Sequence, residues 1–226
     1  MIKKESGWIF ADYIWNEEQT EASFSLDGSV VDISWLQDGV EKNASYRIPS
    51  ASECLTCHKI SDGSIPNGVK PRNINKSLDY ATSSMNQLDK WLEMGYLNSY
   101  PQDIEAVANW KDLSEPLEKR VRSYIDINCA HCHSDNTHCE YRPIRLSFEA
   151  TEDLANMGVC LTPDTNLGNG TDFIINPGNI NRSVLHFRMT SNEEQYRMPL
   201  IGRSIVHDEA ITMIEEWIMS LDDNCN

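Results

Sequence analysis

Cys54-Leu-Thr-Cys57-His58 and Cys129-Ala-His-Cys132-His133 are two copies of one string, C-x-x-C-H, in a chain of 226 residues. The spacing has a chemical reason. Two intervening residues let one helical turn present both thiols to the two vinyl groups of a single porphyrin, and the histidine that follows meets the iron. The pattern predicts two covalently attached haem c groups. Cys54, Cys57, Cys129 and Cys132 are then the attachment thiols, and His58 and His133 the proximal iron ligands. Structural zinc is the competing reading, because two C-x-x-C pairs with adjacent histidines supply four thiolates and spare imidazoles. Zinc ribbons separate their pairs by about 15 to 20 residues, whereas residues 58 to 128 stand between these two. Zinc also gives no reason for a histidine to follow the second cysteine in both copies.

The remaining composition bounds the class. An apolar content of 40% supports a real core. The net charge of −16 argues against nucleic acid, which requires clustered Lys and Arg, and suits a surface that attracts basic partners or simply stays in solution. No run approaches the roughly 18 apolar residues of a membrane span, and Met1–Gly7 lacks the apolar stretch of a secretory signal. Haem attachment is completed outside the cytoplasm, so a periplasmic or otherwise extracytoplasmic location is expected. The sequence is then expected to start after a removed signal or inside a longer precursor, and a membrane tether upstream or an oligomer is compatible with that. Of seven cysteines the motifs use four, leaving Cys139, Cys160 and Cys225. A Cys139–Cys160 disulfide is the favoured pairing, with Cys225 free, paired with another chain, or paired with one of those two.

Periodicity divides the chain into a β-rich segment at 1–50, a first haem module at 51–112 and a second at 113–226. Val31, Ile33 and Trp35 alternate before the Asp38-Gly39 turn, and Val40, Lys42, Ala44, Tyr46 and Ile48 share one parity after it. This predicts a small antiparallel sheet, with its aromatics in a core. Met85, Leu88, Trp91, Leu92 and Tyr96 predict a helix over 84–95. Ser114 and Pro116 mark the start of another that leads into the second motif, and Ile211, Ile214, Trp217, Ile218 and Leu221 define a closing helix over 208–221. Residues 134–182, rich in Asn, Gly, Pro and Thr, are expected to wrap a haem as loops. The fold class expected is a mainly α, cytochrome c-like arrangement of two haem modules with long loops, preceded by the β segment.

The sixth iron ligand decides between electron transfer and chemistry, since Met raises the potential, His lowers it and a vacant position admits ligands. Met198, in a loop just before the closing helix, is the candidate for the second haem, with Met189 in reserve. For the first haem the candidate is Met85, which precedes a helix in the same order, with Met94 behind it. His131, His138, His186 and His207 are read as surface or capping residues before ligands.

With these residues in place the chain resembles class I-like cytochromes c at both motifs. In those proteins a Met-Pro loop crosses the distal haem face and a C-terminal helix packs back on the haem-bearing one, as Met198-Pro199 and 208–221 would. The resemblance also implies a proline carbonyl against each proximal histidine, Pro66 in the first module and Pro143 or Pro163 in the second. More broadly the chain is similar to a family of exported bacterial dihaem proteins of unassigned function, through Tyr13–Ala22, Tyr46–Ser50, both motifs, Asn86–Leu88 and Met198–Trp217. That family implies a β-rich segment, its start missing here, before two cytochrome modules. The function expected is electron transfer between redox protein partners. The alternatives are a dihaem peroxidase-like oxidoreductase with one open haem site, or a haem-bearing subunit of a dehydrogenase or a conductive assembly.

Overall fold

Two helices organise the centre of the molecule. The run 117–128 carries Val121, Tyr124 and Ile125 on one face, and 208–220 carries Ile211, Ile214, Trp217 and Ile218. In the computed structural model, which describes residues 1–67, 70–81, 83–222 and 225, these faces share one buried cluster with Met157, Ile174, Ile175 and Met189. The apolar stripes recur at helical spacing, and burying them against each other is the main source of stability in this half of the chain.

In chain order the elements are β1 (Ile2–Lys4), β2 (Gly7–Ile9), β3 (Asp12–Trp15), β4 (Ala22–Ser25), β5 (Ser29–Gln37), β6 (Val40–Ile48) and α1 (Ala51–Cys54). They continue with β7 (Lys59–Ile60), β8 (Gly63–Ser64), α2 (Pro71–Ile74), β9 (Ser77–Asp79), β10 (Ser84–Asn86) and α3 (Gln87–Glu93). Last come α4 (Leu117–Asn128), α5 (Leu154–Met157), α6 (Val184–Thr190) and α7 (Asp208–Ser220).

The expectation of a mainly α, cytochrome c-like fold is wrong. Helix accounts for only 26% of the structure and strand for 21%, in five small two-stranded antiparallel sheets. The cause is local. Between the first motif and α4 the chain turns back in tight pairs, β7 with β8 and β9 with β10, and the last of these strands takes 84–86 from the start of the helix expected over 84–95. Asn86 accepts a hydrogen bond from the Leu88 amide and so caps α3 at residue 87, releasing 84–86 to pair with 77–79.

The N-terminal strands are likewise three separate hairpins rather than one sheet. The register of β5 with β6 sets Val31 opposite Tyr46, Ile33 opposite Ala44 and Trp35 opposite Lys42, so the alternating residues do share a face. On that face Val31, Trp35, Ala44, Tyr46 and Ile48 are half-buried, while Ile33 and, on the β3–β4 hairpin, Tyr13, Trp15 and Phe24 stay exposed. For these three aromatics the expectation of a core position is corrected, whereas Phe10 is buried. Gly28 ends this region for a steric reason: at φ +70°, a Cβ there would stand 2.7 Å from the Ile48 carbonyl oxygen and the Ser50 nitrogen.

Residues 70–126 tie the first motif's surroundings to the core. The Asp126 carboxylate, fully buried, accepts from Lys70 Nζ at 2.5 Å and from the Phe148 amide at 2.9 Å, while Ser123 Oγ accepts from the Ala108 amide. Replacing Asp126 by Ala leaves a buried amide unpaired and frees Lys70. A loss of about 2–3 kcal/mol is expected, measured by denaturant unfolding, whereas Lys70→Ala also leaves the buried carboxylate short of a partner and should cost a comparable amount.

Candidate functional site

Each motif opens a turn at the end of a helix. At the first, Ser50 and Glu53 form a reciprocal capping box on α1, and the amides of Cys57 and His58 bond back to the Cys54 carbonyl. At the second, α4 runs directly into the string, and the Cys132 and His133 amides bond to the Cys129 carbonyl. The same backbone turn therefore presents the three chemical side chains in both copies.

The second motif faces a cavity of about 390 Å³, within the range of small-molecule and cofactor sites. Cys129, Cys132 and His133 line it together with Met198, Met189 and Ile201. The expected loop candidate thus lies on the same cavity as its proximal histidine. Several contacts fix that loop. The Met198 amide donates to the Arg188 carbonyl at 3.0 Å, Arg188 donates to the Tyr196 carbonyl, and Arg203 donates to the carbonyls of Met189 and Ser191. The Tyr196 ring packs on Phe187 with centroids 5.3 Å apart.

Charge in this cavity runs against that of the chain. Arg142, Arg188 and Arg203 all line it, and among the described residues only Arg142 is ion-paired, with Asp164. Burial lowers Arg188 and Arg203 below the usual guanidinium range, with Arg142 and Arg197 respectively adding repulsion. Burial also pushes His133 down to about 4, with the neighbouring cations Arg142, His131, Arg145 and Arg188 contributing. An apolar cavity whose rim carries Arg142 beside Asp164, together with Arg188 and Arg203 that have no ion pair among the described residues, suits an amphiphilic ligand with carboxylates at one edge, as a haem is. The three arginines were not legible as ligands in the sequence; the signal available was Arg188, Arg197 and Arg203 gathered around Met198 in an otherwise acidic chain.

The histidines differ in support. His58 Nδ1 lies 3.2 Å from the Ile65 carbonyl oxygen, and 3.1 Å from the Asn67 amide. The carbonyl expected from Pro66 is therefore supplied by the residue before it. The two contacts are alternatives: the Asn67 amide donates to an unprotonated Nδ1, whereas the tautomer protonated at Nδ1 donates to Ile65 and leaves Nε2 free for a metal. Phe10 packs against the same ring, centroids 4.9 Å apart, so the β-rich segment reaches the first motif. His133 Nδ1 is buried with no hydrogen-bond partner among the described residues, although Pro143 and Pro163 both line the cavity.

Thr56 and Cys57 of the first motif form part of this same wall, while Cys54, His58, Pro66 and Met85 do not. Met85 sits in β10 opposite Leu78. Cys132 approaches Cys57, sulfur to sulfur at 3.7 Å. That contact favours the Cys57 thiolate and raises Cys132, and burial pushes Cys129 up to about 12. His207 stands at the start of α7, 3.1 Å from the Tyr124 hydroxyl, and His186 contacts Glu215 at 2.7 Å.

The expected Cys139–Cys160 disulfide is not formed; Cys160 pairs with Cys225, and Cys139 is free. The backbone explains the difference. The Cys139 amide bonds to the Cys132 carbonyl, beside the second motif, while the Cys160 amide bonds to Ile175, whose neighbourhood meets the end of α7 through the Gly178 amide and the Ile218 carbonyl.

The cavity wall also contains a close approach. Gly158, at φ +95°, ends α5, and a Cβ there would fall 2.5 Å from Ile174 Cγ2. Gly158→Ala should destabilise by about 2–3 kcal/mol, combining left-handed strain with displacement of Ile174. Denaturant unfolding checks it.

No family model matches the chain, and neither the curated proteins nor the solved structures contain a significant match to it. No helix of the described residues is long and apolar enough to cross a membrane.

Proposed function

We propose that this chain is a dihaem c-type cytochrome, with haem c attached at Cys54 and Cys57 and at Cys129 and Cys132, that carries electrons between redox proteins outside the cytoplasm. The observation that carries the reading is the second motif: two thiols and a histidine open onto an apolar cavity that Met198 lines and three arginines rim. When bound, each haem supplies one-electron chemistry at iron. The chain's part is to hold, orient and shield. Cys129 and Cys132 would anchor the group, His133 and Met198 would supply the iron's protein donors, and Arg142, Arg188 and Arg203 would meet its carboxylates. Ile144, Ile174 and Ile211 exclude water. At the first motif Ile65 orients His58, and Met85 is the proposed sixth ligand.

The Cys160–Cys225 disulfide supports an oxidising compartment, and the acidic surface supports docking of basic protein partners. The resemblance to exported dihaem proteins agrees with both. Expression with export and haem-attachment machinery should give a mass increase of two haems that survives denaturation. A single haem or none would overturn the reading. Rapid cyanide binding with peroxide turnover would move the function to the peroxidase-like alternative, with the open position on the haem that His58 would hold.

A further inference from the structure

The two attachment motifs meet through residues that attachment itself does not bring together. Cys57 Sγ and Cys132 Sγ are 3.7 Å apart, and these sulfurs and a ring nitrogen of His131 all lie within 4.8 Å of one another. A tetrahedral zinc ion with Zn–S near 2.3 Å holds two thiolates about 3.8 Å apart and a thiolate and an imidazole nitrogen about 3.6 Å apart. The sulfur pair already has that separation. All three residues are half-buried on one cavity wall, and the fixed turns of both motifs position them before any ion arrives.

We propose that the haem-free chain binds one zinc ion at Cys57, His131 and Cys132. This site is distinct from a four-thiolate zinc site, because Cys54 and Cys129 stand outside it. His131 occupies a variable position of the second motif and has no part in attachment. Binding takes Cys57 as its thiolate, releases the thiol proton of Cys132, and forms two Zn–S bonds and one Zn–N bond, with the fourth position open. A sulfur that has formed its thioether is no longer a thiolate, so zinc and attached haem exclude each other at Cys57 and Cys132. The ion holds the two motifs together before attachment and must leave for attachment to finish.

The inference stands apart from the electron-transfer reading, which a haem mass on the exported chain tests separately. The experiment uses the full chain made without haem attachment, in reducing buffer, titrated with zinc against a chromophoric chelator and with cobalt as a spectroscopic probe. One ion per chain and a thiolate-to-cobalt charge-transfer band are expected. Cys57→Ser, Cys132→Ser and His131→Ala should each weaken zinc binding more than about 100-fold, beyond the range of outer-shell changes, while Cys54→Ser and Cys129→Ser should change it by less than about tenfold. Absence of stoichiometric binding by the unsubstituted chain overturns the proposal. Equal losses from Cys54→Ser or Cys129→Ser overturn it in favour of a four-thiolate site. The exported His131→Ala chain should still gain two haems, since both attachment strings are intact.

Discussion

Met198→Ala is expected to abolish the thioether-to-iron absorption band of the haem-loaded chain and to lower one of its two midpoint potentials. The sign follows from the ligand. A thioether stabilises reduced iron, so losing it favours the oxidised form, by on the order of 0.1 V or more within the roughly 0.8 V that axial ligands span. The substitution should not disturb the loop that carries it. The Met198 amide, not its side chain, bonds to Arg188, and Arg188 and Arg203 anchor the flanking backbone. A redox titration followed by absorbance checks both parts, and the potential of the other haem should stay where it is. An unchanged spectrum would remove Met198 from the ligand set; the same loss in Met189→Ala would put Met189 there, since it lines the same cavity.

How much of this could be read beforehand depends on the range of the interactions. The motif turns, α4 and α7 are local. Each is set by residues within a few positions of one another, so spacing alone located them. The pairs β7–β8 and β9–β10 are two or three residues long, too short for alternation to register, and the apolar stripe through Met85 and Leu88 read equally well as helix. Asn86 carried the missing signal, because an asparagine at a helix start is a cap. Alternation in β5 and β6 showed which residues share a face but not how far it is covered; the exposure of Ile33 there, and of Tyr13 and Trp15 in β3, required the tertiary structure. The same holds for the Ile65 carbonyl in place of that of Pro66, a shift of one residue along the chain. Bringing Arg142, Arg188 and Arg203 to one cavity is a property of how α6 and its following loop return to the second motif, and their separations in sequence do not encode it.

Cys225→Ser should produce the largest loss of stability, about 4 kcal/mol by the chain-entropy relation for a link spanning 65 residues. The link joins the tail beyond α7 to the segment after α5, so it closes a loop containing α6, the Met198 loop and α7. Removing it enlarges the unfolded ensemble without changing the packed face of Trp217 and Ile214. Denaturant midpoints with and without reductant measure the effect: the parent should fall to the level of Cys225→Ser on reduction, and the variant should not respond. Cys139→Ser tests the pairing, since a free cysteine contributes no loop closure, and its midpoint should keep the parent's response to reductant. The consequence reaches the cavity. Pro163, Asp164 and Thr165 form its wall just beyond Cys160, and once the disulfide is gone the segment is still held by the Cys160 amide on Ile175, the Ile174 amide on Leu161 and the Arg142 contacts with Asp164 and Thr165. If reduction leaves the midpoint unchanged, those contacts suffice to close the wall, and the loss of unfolded-state entropy attributed to the link is already supplied by residual structure in the unfolded chain.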